Sequence, residues 1–178
     1  MARDLKLRWS RKDPCYNSRA MAWTRGEKYL AASLVLGICH HVDHVLRYDH
    51  SGWPFRPEVT PFTYSFLVYP LFLVAALSRR YPLPRISSTA VVFGFTTFSH
   101  IYFETPIDQY RTWAEGSPVA SHGIQHTLLN TQSPTTGIVA ATITVLLSLF
   151  LGVALCQFII EWRRGEAAKA SGNMHAQR

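Results

Sequence analysis

The chain has 178 residues, of which 48% are hydrophobic and only 16% charged, with 18 Lys and Arg against 11 Asp and Glu. A soluble domain of this length usually carries nearer a quarter charged residues, and here the charges crowd toward the termini and one central stretch. The net charge of +7 therefore speaks for a membrane boundary rather than a nucleic acid, and Cys15, Cys39 and Cys156, far apart and without a CxxC spacing, indicate neither a disulfide framework nor a thiolate metal site.

Residues 1–28 are polar and basic and lack an early apolar core, so they read as a cytoplasmic segment rather than a cleavable signal peptide. Residues 29–162 then read as an all-α transmembrane domain of four spans, each near the ~20 residues that cross a bilayer. The first runs from Tyr29 to Leu46 and the second from Thr60 to Ser78, with a kink expected at Pro70. The third covers Ile86 to Phe103, and the fourth, the most apolar, covers Thr135 to Ile160. A long loop, 104–134, joins the last two, with a short helix predicted after Ser117 that starts on Pro118. Residues 163–178, rich in small and polar types, read as a disordered cytoplasmic tail.

With four spans, the amino terminus, the 79–85 turn and the tail share one side, and that side holds 15 of the 18 Lys and Arg residues. Cationic residues stay on the cytoplasmic side of membrane proteins. Both termini are therefore predicted to be cytoplasmic, with the loops near 47–60 and 104–134 on the outside.

This orientation puts seven of eight histidines on the outer side: His40, His41, His44 and His50 after the first span, His100 at the end of the third, and His122 and His126 in the long loop. Spacing selects among them. Residues four apart on a helix share a face, and His40/His44, His100/Glu104 and His122/His126 all have this separation. Ionisable groups within membrane segments are costly and usually functional. The pattern thus predicts a metal site of His40, His44, His100, Glu104, His122 and His126. Glu104, Asp108 and Asp43 are the candidate catalytic carboxylates. His41 points off the His40–His44 face and, with His50, reads as a bystander. Asp43 and Arg47, four apart, read as an ion pair, and Trp113 as part of an interfacial aromatic belt.

Imidazole and carboxylate donors without thiolates suit iron, zinc, copper or manganese, and six ligands would fill a dinuclear site. The expected function is a membrane metalloenzyme, an oxidoreductase or a hydrolase, acting on a lipid or other apolar small molecule at the outer face. The paired segments HHVDH and HGIQH resemble, in logic, the histidine-box membrane hydroxylases and desaturases. The chain lacks an HxxHH box, however, and its site is predicted on the opposite side, so no family follows from the resemblance. Two alternatives stay open: a haem-binding electron carrier with axial histidines from different helices, and a non-catalytic metal-binding or accessory protein. A bundle this small could also pair with a second copy or a partner subunit.

Overall fold

A computed structural model describes residues 22–47, 64–116, 127–129 and 131–176. Among these the chain is all-helical, with five α-helices: α1 (Arg25–Leu46), α2 (Val68–Leu77), α3 (Pro82–Tyr102), α4 (Pro106–Glu115) and α5 (Pro134–Ala176). A single 3-10 turn, Ser65–Leu67, leads into α2.

Local chemistry sets the helix starts. Thr24 and Glu27 form a reciprocal capping box at α1, each side chain accepting from the other's backbone N–H. Thr105 and Asp108 do the same at α4, where Pro106 occupies the first turn and loses no helical hydrogen bond. Pro70 falls in the first turn of α2 for the same reason. The chain changes from 3-10 to α geometry just before it, so the expected kink becomes a helix start. Gly116, with φ of +85°, ends α4 in a conformation that side-chain-bearing residues rarely adopt.

α5 is the hub, packing against α1, α3 and α4, while α2 packs on α3 and more lightly on α1. The core joins Leu30 of α1, Val68, Phe72 and Ala75 of α2, Val92 of α3, and Leu147, Leu151, Ala154 and Phe158 of α5. One glycine positions α4. A Cβ on Gly137 would lie 2.7 Å from the Tyr110 carbonyl oxygen, so only glycine lets α4 come this close to α5. The close approach buries the Gln109–Thr112–Trp113 face of α4 inside the bundle.

Two helices are long and apolar enough to cross a membrane, α1 and the Pro134–Ser171 part of α5. α3 has the length, but Arg85, Ser87, Ser88, Thr89, Thr96, Thr97, Ser99 and His100 make it more polar. The helix of the second predicted span covers only Ser65–Leu77. Two further differences from the sequence reading concern the ends of elements. The short helix of the long loop is Pro106–Glu115, because Thr105 and Pro106 start a new helix directly after α3. The helix predicted at Pro118 lies outside the described residues. α5 also continues to Ala176, through residues assigned to a disordered tail, since Glu, Arg, Ala and Lys there favour helix.

The end of the bundle that holds the α1 start is closed by buried charge. Glu27 accepts from Arg79 at 2.7 and 2.8 Å and from Arg85 at 2.7 Å. The Arg85 guanidinium lies 3.9 Å from the centre of the Phe158 ring. The start of α1, the α2–α3 junction and the distal half of α5 therefore meet at one end.

Candidate metal centre

The opposite end of α1 carries the histidines. Helical spacing sets His40 and His44 edge to face, their ring centroids 4.4 Å apart and their Nε2 atoms 2.8 Å apart. The last turn of α3 brings His100 against them, its ring centroid 4.6 Å from that of His40. The chain then turns out of α3, which swings Glu104 back over the same spot. One donor atom each from His40, His100 and Glu104 lie within 4.8 Å of one another, and all three residues are buried. These three could hold a metal ion. His44 joins the group, its Nε2 3.3 Å from Glu104 Oε2.

A chain of hydrogen bonds fixes which nitrogen of His40 faces this space. A carboxylate only accepts, so Gln109, whose Nε2 lies 3.4 Å from Glu104 Oε2, must turn its amide N–H₂ toward Glu104. Its Oε1 then accepts from Thr144 Oγ1 at 2.7 Å. The Thr144 hydroxyl has spent its proton and must accept from His40 Nδ1 at 3.1 Å. With Nδ1 protonated, Nε2 of the neutral ring presents a lone pair toward His44. A metal ligand needs that orientation, and an outer hydrogen bond on the other ring nitrogen is how proteins set it.

Arg47 anchors the carboxylates. It is fully buried, ion-paired to Asp43 Oδ2 at 2.5 Å and bonded through its Nη1 to Glu104 Oε1. Burial opposes its charge, but the Glu104 and Asp43 carboxylates outweigh that and hold the guanidinium above its ordinary pKa. Trp113 donates its indole N–H to Asp43 Oδ1 at 2.7 Å. One guanidinium thus bridges the two carboxylates.

A cavity of about 40 Å³ borders the imidazoles, its lining including His40, His41, His44 and His100 together with Phe72, Phe95, Phe103 and Leu147. That space holds a water or the reacting end of a ligand, in a mostly apolar surround.

Of the residues singled out from sequence, His40, His44, His100 and Glu104 come together here. Asp43 supports them through Arg47 and Trp113, forming the ion pair expected of it. Asp108 serves the α4 cap: its Oδ2 accepts from Thr105 N at 3.0 Å and Thr105 Oγ1 at 2.7 Å. His50, His122 and His126 lie outside the described residues. Three features differ from the sequence reading. Trp113 is buried in the site rather than in an interfacial belt. His41 lines the cavity instead of standing apart. Gln109 and Thr144 join the site without any spacing that marks them, their signal in the sequence being only a threonine within "ATITVLLS" and a glutamine among the residues after the third span. No family model, curated protein or solved structure matches the chain, so its function must be argued from this cluster.

Proposed function

We propose that the chain is a multi-pass membrane enzyme. Its His40, His44, His100 and Glu104 hold a divalent transition-metal ion and act on a lipid or other apolar molecule at the non-cytoplasmic side. The observation that carries this reading is the convergence of His40, His100 and Glu104 donors within 4.8 Å. The His40 tautomer set for ligation and the apolar cavity beside it support the same reading. Support for the topology comes from two helices able to cross a membrane. The basic segments at the α1 start and the α2–α3 junction also meet at the end of the bundle away from the histidines.

Three imidazoles and one carboxylate suit zinc, iron or copper, and a second ion would require ligands beyond the described residues. Bound there, the ion supplies Lewis acidity toward an oxygen of substrate or water. The protein's own part is to fix the donors through Thr144, Gln109 and Arg47 and to keep bulk water out with Phe72, Phe95 and Phe103. A haem between His40 and His100 fits less well. Two axial nitrogens on opposite sides of one iron stand roughly 4 Å apart, twice a metal–nitrogen bond of about 2 Å, and the ring centres lie further apart still. Here the centroids are only 4.6 Å apart.

The test is metal content by mass spectrometry, with a visible spectrum, on protein purified without chelator or histidine tag. About one ion per chain, lost in a His40→Ala/His100→Ala variant that keeps its helical circular dichroism, is the expected result. Folded wild-type protein that neither carries nor takes up zinc, iron or copper would end the proposal.

A further inference from the structure

The charged end of the bundle, away from the histidines, holds a second cavity of about 220 Å³. That is room for about seven waters of ~30 Å³ each, or for a polar headgroup of similar size. Its lining carries both signs of charge. Arg79, just after α2, and Arg85, near the start of α3, supply two guanidiniums, while Glu161, Glu166 and Lys169 come from α5. Trp162, an amphipathic ring of the kind that sits at headgroup level, lines it as well.

The guanidiniums are short of acceptors. Both share the single carboxylate of Glu27, Arg79 through Nε and Nη2 and Arg85 through Nη2. Arg85 is only 7% exposed and lies against the Phe158 ring. Its Nε nevertheless has no hydrogen-bond partner among the described residues. A buried donor without an acceptor is destabilising, and phosphate is an acceptor that the guanidinium fork matches well.

The carboxylates argue against a site for a simple anion. Lys169 Nζ engages Glu166 at 2.8 Å in an exposed pair, and Glu161 has no ion pair among the described residues. Carboxylates only accept, so they suit a ligand group with positive charge and N–H donors. A phosphate with a primary ammonium a few bonds away meets both walls of charge, and that is phosphoethanolamine.

Arg79 also lines a third cavity, of about 240 Å³, whose other walls include Leu30, Ala31 and Leu34 of α1 and Phe72 and Ala76 of α2. From Glu27 to Leu34 this groove follows α1 for about 10 Å, at 1.5 Å per residue. In the membrane reading it descends from the charge cluster into the hydrocarbon. A cavity of mixed charge that shares an arginine with an apolar groove has the outline of an amphiphile.

We propose that these two cavities hold one phospholipid with an ethanolamine headgroup. Its phosphate lies on Arg79 and Arg85, its ammonium on Glu161 and Glu166, and one acyl chain along Leu30, Leu34 and Phe72. The proposal rests on the membrane reading above and is independent of the metal.

The test is native mass spectrometry of the full-length chain, released from nanodiscs of equal parts phosphatidylethanolamine, phosphatidylcholine and phosphatidylglycerol. Phosphatidylethanolamine is retained about tenfold over phosphatidylcholine, whose methylated ammonium has no N–H to give; that is the size expected of one hydrogen bond to a charged group. Phosphatidylglycerol, which lacks the ammonium, is also retained less. Glu161→Gln/Glu166→Gln, which leaves the buried Glu27–Arg85 pair intact, abolishes the preference, and Arg79→Gln lowers retention of all three lipids. Equal retention of the three by folded wild-type protein overturns the proposal, as does a preference for phosphatidylglycerol or one that survives in the double glutamine variant. No retained phospholipid, the result if residues 1–21 or a second copy fill the groove, overturns it too. A chain that does not fractionate with membranes ends the membrane reading as well, whereas a membrane-bound chain without the preference ends this proposal alone.

Discussion

Glu104 determines which nitrogen of His40 faces the candidate metal centre, although the link runs through Gln109 and Thr144. Each partner in that chain has one way to satisfy the next. The carboxylate can only accept, the amide turns its N–H₂ to it, and the hydroxyl has a single proton. α1, α4, α5 and the segment after α3 thereby hold one imidazole in one tautomer.

Cutting the chain should weaken ligation while leaving every ligand in place. Thr144→Val removes the acceptor for His40 Nδ1 at nearly constant volume. Metal affinity is expected to fall about 10- to 100-fold, the usual effect of losing a partner behind a ligand. Chelator competition reads this directly. An unchanged affinity would show that the tautomer is set elsewhere.

Arg47 is the group on which the polar end depends for stability. Arg47→Met leaves Asp43 and Glu104 buried without their guanidinium, and breaking a buried pair this way costs about 3–5 kcal/mol. Thermal unfolding in detergent should show a large drop in Tm. Arg47→Met/Asp43→Asn should recover part of it, because one of the two stranded charges is gone.

Gly137→Ala tests the seating of α4. A methyl group there meets the Tyr110 backbone at 2.7 Å, and backbone cannot yield as a side-chain tip can. Overpacking of this kind costs roughly 1–3 kcal/mol. Because Gln109 and Trp113 ride on α4, metal affinity should fall along with Tm. Gly94→Ala, where the added atom meets nothing within 4 Å, should leave metal affinity unchanged and raise Tm slightly, because it removes a glycine from the interior of α3.

Added metal should stabilise the folded chain by mass action, about 2.7 kcal/mol at a hundred times Kd. A rise in Tm with zinc or iron in the wild type, absent in His40→Ala/His100→Ala, is the expected outcome.

The helical class and the HxxxH and HxxxE spacings were readable because a helix repeats every 3.6 residues, and His40, His44, His100 and Glu104 obey that period or end it. Contacts that close over long separations were not readable. Trp113 bonds Asp43 from seventy positions away, and Thr144 meets His40 from 104 away. Periodicity within one helix says nothing about which neighbour its polar face will meet. His41 shows the limit most plainly: its offset from the His40–His44 face suggested a bystander, yet the turn at Ser65 brings a partner to it. α4 was obscured for another reason. Its burial depends on a glycine in α5 rather than on any apolar stripe of its own.

The two carboxylate–guanidinium clusters of α1 also act as a ruler. Glu27 and Arg47 are twenty residues apart on one helix and its cap, which at 1.5 Å per residue is about 30 Å, close to the hydrocarbon thickness of a bilayer. Each end is fastened to other segments by buried charge, so tilting or sliding α1 would draw a fixed ion pair into the acyl chains. In the proposed membrane reading the helix is expected to stand close to the membrane normal. His40 would then lie about 10 Å below the Arg47 level, at a depth where the proposed apolar substrate would arrive from among the lipid tails.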